Sequence, residues 1–398
     1  MSSSRSESFF ASCPRGLEGL LLQELSSFGA EAPAQAPGGV AFSGTWEIGY
    51  RANLWSRIAS RVLWRVGEFS YQNERDLYDA ARAIAWPKYF SVQKSIRVNV
   101  TAQKSPLKSL EFATLKVKDA VCDLFRDKVG SRPDVDRAAP DVRIHAFLEE
   151  AKGILYLDTS GEALFKRGWR MDIADAPIRE NLAAGVVMLS GWKFDQPLLD
   201  PMCGGGTLLS EAAAMARGRA PGAKRAFGFE KLSGFDSKLW ERIKNERTVQ
   251  PVEPRLYGSD TDPEALQAAR RNLGAAGVER WVKLERADVL ERPAPASVGV
   301  LVANPPYGER IGSADELAAF YPKLGDALKK KYAGWTAYIL TADLRVAKLR
   351  YRSWHPASVS RKPSRLALSV ALRSGDFRAV RVTESKPDDG RGMRSHPA

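Results

Sequence analysis

Hydrophobic and polar positions follow two different rhythms along the chain. Up to about residue 160 the segments are short and mixed. Residues 9–12 have the apolar content of a short strand, and residues 16–28 place leucines at 17, 20, 21 and 25, a helical spacing. Residues 38–42 read as a strand after a Pro/Gly turn, 48–58 as a helix, 62–69 as a strand, and 77–85 as a helix that ends before Trp86-Pro87. Residues 95–100 alternate with the period of a strand, and 110–125 are helical, with Phe112, Leu115, Val121 and Phe125 on one broad face. Residues 142–148 and 153–158 predict a β-hairpin.

Beyond residue 160 strands and helices alternate regularly. Strands are predicted at 197–199, 255–258, 281–285, 298–303, 335–340 and 366–372, and helices at 207–216, 263–276 and 316–330. The strand at 298–303 is almost wholly apolar, as in a strand buried on both faces. This alternation predicts an α/β domain built on a doubly wound, mostly parallel sheet with helices on both faces. The expected division is an α+β region over 1–160, a catalytic domain over 161–385, and a disordered tail over 386–398, rich in Gly, Pro and charge.

Composition narrows the class. No run of 18 apolar residues occurs, so no membrane span is expected, and residues 1–7 lack a signal core. Cytoplasm is the expected compartment. Cys13, Cys122 and Cys203 are too few for a disulfide framework, and with His145, His355 and His396 they make no metal-ligand pattern, so no metal is expected. The chain carries a net charge of +13. Residues 1–160 hold 21 Lys+Arg and 19 Asp+Glu, whereas 161–398 hold 39 and 28. The excess favours a polyanionic partner and sits in the half that carries the motifs.

Four strand ends carry the candidate chemistry. Asp200-Pro201-Met202-Cys203-Gly204-Gly205-Gly206 runs from a strand through a glycine loop into a helix. Such a loop lets backbone approach a ligand, though a tight strand-to-helix turn is the plain alternative. Leu209 breaks the G-x-G-x-x-G spacing of a dinucleotide site, and no Gly-Lys-Ser/Thr follows. Asp260 ends the next strand, where an acid accepts from ribose hydroxyls, while Asp262 before Pro263 reads as a helix cap. Asp288 follows a third strand and suits an adenine amine or a solvated turn. Asn304-Pro305-Pro306-Tyr307 follows the apolar strand and is the most specific signal. Its prolines remove two backbone donors, so the turn presents acceptors to an exocyclic amine, and Tyr307 offers a stacking face. Cys203 and Cys122 read as packing residues rather than nucleophiles.

These motifs resemble a known family. DPMCGGGTLLSEAA, GSDTDPEAL and NPPYGERIG are similar to Rossmann-type S-adenosylmethionine methyltransferases acting on amino groups. PRGLEGLLLQEL, LWSRIASRVLWRVGE, KVKDAVCDLF, RPDVDRAAPDVRIHAFL and ALFKRGWR resemble the N-terminal part of bacterial 23S rRNA guanine-N2 methyltransferases, in which a THUMP RNA-binding domain precedes the catalytic domain. The resemblance reaches to about residue 375. It implies N2-methylguanosine formation in 23S rRNA or a large-subunit assembly intermediate, with S-adenosylmethionine as cofactor. It assigns Asp200, Gly204 and Gly206 to the methionine end, Asp260 to ribose, Asp288 to adenine, and Asn304, Pro305 and Tyr307 to the target base, with Met202 a further cofactor-binding residue and Pro306 part of the catalytic turn. Glu180, in a helix start over 177–182, is a further cofactor candidate or a helix-surface charge. The family's best-known members carry a second methyltransferase domain, so only the guanine-N2 activity is expected here.

Outside the pocket, Lys166, Arg167, Trp169 and Arg170 form a basic-aromatic connector that suits RNA, or a solvated linker with one buried Trp. Lys329–Lys331 and seven Lys/Arg between Arg345 and Arg365 suggest an RNA-facing rim. A monomer is expected. Two rival readings keep part of the picture: adenine-N6 methylation of DNA or RNA, and a non-catalytic RNA-binding assembly factor.

Overall fold

A computed structural model describes residues 5–170, 178–246, 251–305, 314–341, 367–371 and 377–381. Among these residues lie two seven-stranded sheets. The first contains β1 (Glu7–Ser12), β2 (Glu31–Ala36), β3 (Gly39–Gly44), β4 (Arg61–Ser70), β5 (Ile96–Gln103), β6 (Val142–Glu149) and β7 (Lys152–Asp158), in the order β2-β3-β1-β4-β7-β6-β5. Its helices are α1 (Glu18–Ser27), α2 (Trp46–Trp55), α3 (Glu74–Ala83) and α4 (Leu110–Val129). The β6–β7 hairpin forms as its alternation predicts, and β7 pairs antiparallel with β4. That pairing joins the two ends of the N-terminal half into one sheet.

Two elements differ from the pattern. The segment read as a Pro/Gly turn contains the edge strand β2, with a register shift between Glu31 and Ala34. Pro33 donates no ladder bond, which an edge tolerates, and the strand is mostly exposed and built of small or polar residues, so no large apolar side chains mark a buried face. In α4 the buried stripe is Ala113, Val117, Ala120, Val121 and Phe125, while Phe112 and Leu115 are 46% and 40% exposed. Val121 and Phe125 lie on the buried face as their spacing predicts, while alanines, which let α3 pack closely, take the places expected of Phe112 and Leu115.

The second half contributes α5 (Glu180–Leu189), β8 (Leu198–Asp200), α6 (Thr207–Ala216), α7 (Ser237–Lys244), β9 (Leu256–Asp260), α8 (Pro263–Ala276), β10 (Val282–Arg286), β11 (Gly299–Ala303), α9 (Ala314–Lys331), β12 (Trp335–Thr341), β13 (Ala367–Ala371) and β14 (Phe377–Arg381). The sheet order is β10-β9-β8-β11-β12-β13-β14. Pairing is parallel from β10 to β12 and antiparallel beyond. The strand order reverses at β8 and β11, which opens a crevice at their C-terminal ends.

The halves share one apolar core that runs from Phe9 to Leu340. Leu17, fully buried ahead of α1, packs on Gly185 of α5. Asn181 donates to Ile58 O at 3.2 Å and to Ser60 Oγ at 2.9 Å. Helix α7, which the apolar periodicity did not single out, docks on α2, and Arg51 makes a two-pronged ion pair with Glu246. No helix among the described residues is long and apolar enough to cross a membrane.

Candidate functional site

The C-terminal ends of β8, β9 and β11 bring the candidate residues together. Asp200 closes β8 one residue beyond the Leu199–Leu301 pair, and Asn304 follows directly on β11. Asp200 is level with Gly258 of β9, and Asp260 closes that strand. Three strand ends separated by long stretches of sequence thus face one crevice.

The glycine loop is held by backbone and by acid. Cys203 N donates to Ser259 O at 2.9 Å, and Gly206 N closes a turn onto Cys203 O at 2.8 Å. Gly204 N donates to Asp260 Oδ2 at 2.9 Å, while Asp262 N donates to Asp260 Oδ1 at 3.1 Å. Each carboxylate oxygen has two acceptor sites, so Asp260 keeps capacity toward a ligand. Gly206 adopts φ +75° at the N-cap of α6, with an added Cβ meeting Ala269 at 3.2 Å, so only glycine suits the turn. Gly204, at φ +49°, borders open space on its Cβ side. As a cap Gly206 offers no side-chain acceptor, leaving the first-turn amides of α6 toward the loop. Asn272 Nδ2 donates to Gly205 O at 3.0 Å from α8, a support with no sequence signal of its own.

Asp200 is 1% exposed, and burial, reinforced by the charge of Asp260, pushes its carboxyl up to about 8, against the lowering hydrogen bond from Met202 N. A buried acid that ionises reluctantly at a sheet switch point favours a cationic ligand beside it. Met202 is half-buried beside Leu199 and Leu301. The Cys203 thiol is buried between Asp200 and Asp260, and burial raises it well above the ordinary range, so it stays protonated. Asp262 caps α8 through Glu264 N, as its place before Pro263 predicts. Asp288 is exposed and accepts from Leu290 N at 2.8 Å.

The connector is reassigned. Arg167 is 2% exposed, pairs with Glu211 at 3.2 Å, and donates to Leu164 O and Arg57 O. Trp169 is 9% exposed and joins the core. Neither offers a surface to RNA, because satisfying a buried guanidinium and covering an indole take their contacts inward. Arg170 pairs with Glu180 at 2.8 Å and also donates to Ile178 O and Thr207 Oγ1. Lys166 alone of the four is exposed, and it pairs with Glu162.

Glu180 is therefore no helix-surface charge. It is buried at the start of α5, where burial raises its carboxyl and the Arg170 charge opposes that rise. Through Arg170 it is linked to Thr207, the first residue of α6 beside the glycine loop. Pro305 and Asn304 end the described stretch after β11; Pro306 and Tyr307, residues 342–366 with most of the expected basic rim, and the tail lie outside the described residues. Lys331 turns to Glu291. No cluster of three potential metal ligands occurs among the described residues.

A mostly parallel sheet with acids at successive strand ends and a glycine loop at its switch point defines a Rossmann-like methyltransferase domain, a class whose methyl donor is S-adenosylmethionine. The family described as RMKL-like, methyltransferase domain, matches residues 167–365, and the chain belongs to it. A THUMP domain matches 71–158 and an RlmL ferredoxin-like domain 8–63.

Ribosomal RNA large subunit methyltransferase K/L of Aeromonas salmonicida (strain A449) is 42% identical over 358 residues, which cover 84% of this chain and 50% of that protein. The protein of the same name from Aliivibrio salmonicida (strain LFI1238) is 42% identical, covering 87% and 50%. The chain thus spans about half the length of the curated relatives it matches. Among solved structures, a predicted N6-adenine-specific DNA methylase from Listeria monocytogenes aligns with a TM-score of 0.81 at 29% identity over 93% of this chain and 97% of that one. SMU.472 complexed with SAH aligns at 0.78 and 27% identity, over 97% and 100%.

Proposed function

We propose that the chain transfers a methyl group from S-adenosylmethionine to the exocyclic N2 of a guanine in 23S rRNA, giving N2-methylguanosine. The observation that carries this reading is the placement of Asn304-Pro305 beside Asp200, on adjacent strands at the switch point. It puts an amine-accepting turn next to an acid-lined loop. The names of the curated K/L relatives supply the substrate class.

The residues fit such a cofactor. Asp200 and the α6 amides would hold the charged methionine end, Asp260 the ribose hydroxyls, and Asp288 the adenine amine. The positive end of α6 suits a carboxylate. Met202, Gly204 and Gly206 shape the loop, and Glu180 with Arg170 braces it. When bound, the cofactor supplies an electrophilic methyl on a sulfonium. Asn304 Oδ1 and the Pro305 carbonyl would accept the hydrogens of the guanine amine, directing its lone pair, and by residue type Pro306 suits a stiff turn and Tyr307 a stacking partner for the base. The amine sheds its proton once the new N–C bond forms, so no strong base is required.

Residues 1–160 read as the RNA-binding part and 161–385 as the catalytic part, with 386–398 as a tail. The substrate is 23S rRNA or a large-subunit assembly intermediate, acted on in the cytoplasm by a monomer. The test uses radiolabelled S-adenosylmethionine and protein-free large-subunit rRNA, with nucleoside analysis of the product. Label in N2-methylguanosine, lost in Asn304→Ala, is expected. Label in N6-methyladenosine would favour the activity named for the Listeria neighbour. Cofactor binding without any label would overturn catalysis on this RNA.

A further inference from the structure

Three guanidinium groups converge on one indole at the pole of the second sheet opposite the glycine loop. The guanidinium carbon of Arg280 lies 4.3 Å from the Trp281 ring centroid, that of Arg217 4.6 Å and that of Arg219 5.5 Å. Arg217 is the C-cap of α6, and Trp281 stands just ahead of β10. Helix α6 runs back from the loop for about 15 Å at 1.5 Å per residue, so this cluster sits well away from the cofactor crevice.

No carboxylate among the described residues forms an ion pair with any of the three. They oppose one another instead: burial, then the charges of Arg217 and Arg280, lower Arg219 from its ordinary range. Arg219 has a structural task. Its Nη1 donates to Ala276 O at 2.8 Å, and Lys224 donates to Ala275 O beside it, both at the C-terminal end of α8. A helix C-terminus draws cations of this kind, which accounts for Arg219 and Lys224. It does not account for Arg217 and Arg280, whose side-chain donors meet no protein acceptor among the described residues. The Arg280 guanidinium is exposed and that of Arg217 half-exposed, so both can take an anion without giving up a contact inside the protein. A guanidinium presents a planar fork that matches phosphate oxygens, and an indole face holds such forks without consuming their donors.

We propose that Arg217, Arg280 and Trp281 form a clasp for backbone phosphates of the RNA substrate, remote from the pocket that takes the target base. The clasp rests on the reading that the substrate is RNA. The charge excess of the same half of the chain points to a polyanion, and two adjacent forks suit the regular phosphates of a nucleic acid backbone. It anchors a long, folded RNA at a distance from the reaction and carries no base preference.

The test compares wild type with Arg217→Gln/Arg280→Gln and Arg217→Lys/Arg280→Lys, measuring binding to protein-free large-subunit rRNA over a range of salt. The Gln pair is expected to weaken binding about tenfold near physiological salt, since each lost contact is a charge-assisted hydrogen bond. The slope of log affinity against log salt should become shallower by about two, one per phosphate contact. The loss should fall on KM for RNA rather than on kcat, and cofactor affinity should hold, which excludes unfolding as the cause. The Lys pair should regain the salt slope but only part of the affinity, because it restores charge without the fork. A Gln pair with wild-type affinity and slope would overturn the clasp and leave this surface to an acidic protein segment. Wild-type protein that fails to bind RNA at all would instead overturn the functional reading on which the clasp rests.

Discussion

Gly204 N donates to Asp260 Oδ2 at 2.9 Å, joining a loop after β8 to an acid 56 positions later at the end of β9. One carboxylate thus fixes the loop and still faces the crevice. Asp260→Ala should lower S-adenosylmethionine affinity at least about tenfold, by loss of a charged acceptor and release of the loop. Asp260→Asn, which keeps an oxygen for Gly204, should lose less. Calorimetric titration checks both, and equal affinity in all three proteins would remove Asp260 from the site.

Asp200 supplies a pH dependence. Its folded-state carboxyl stands at about 8, above the unfolded value near 4. Between those limits the folded chain holds a proton that the unfolded chain has released. Its contribution to stability is therefore full below about pH 4 and declines as pH rises toward 8, by up to about 1.4 kcal/mol per pH unit. Thermal melting of the cofactor-free protein from pH 5 to 8 should show the decline. Asp200→Asn, which does not ionise, should flatten it, and an unchanged slope in that variant would assign the effect elsewhere.

The Arg170–Glu180 pair predicts a stability effect where the sequence suggested an RNA contact. Arg170→Ala leaves the Glu180 carboxylate buried without its partner and should cost about 3 kcal/mol in denaturant unfolding. The salt slope of RNA binding should stay as in wild type. A stable variant with weakened RNA binding would restore the original expectation.

Gly185 tests the seam between the halves. A Cβ there would sit 2.5 Å from Leu17 Cδ1, and Leu17 is fully buried. Gly185→Val should destabilise by about 1–3 kcal/mol through overpacking, read as a lower melting temperature. The double variant Leu17→Ala/Gly185→Val should recover part of the loss.

Much of this architecture is written locally. The β8 loop, Asp260, Asp262 before Pro263 and the apolar β11 each announce themselves through residue type and immediate neighbours, because strand period, cap chemistry and left-handed glycine turns are short-range effects. Lys166, Arg167, Trp169 and Arg170 show where that stops. Four basic and aromatic residues within five positions carry the same local signal whether they face RNA or the interior. The fate of Arg167 and Arg170 is set by Glu211 and Glu180, which lie 44 and 10 positions away. Edge strand β2 and part of the buried face of α4 were hidden likewise, since one is mostly exposed and built of small or polar residues and the other is lined partly by alanines. The strand ends and their acids follow from the chain's own pattern. Burial, and with it the charge state of Asp200, the partner of Arg170 and the gathering of Arg217, Arg219 and Arg280 around Trp281, comes from long-range packing that no local pattern encodes.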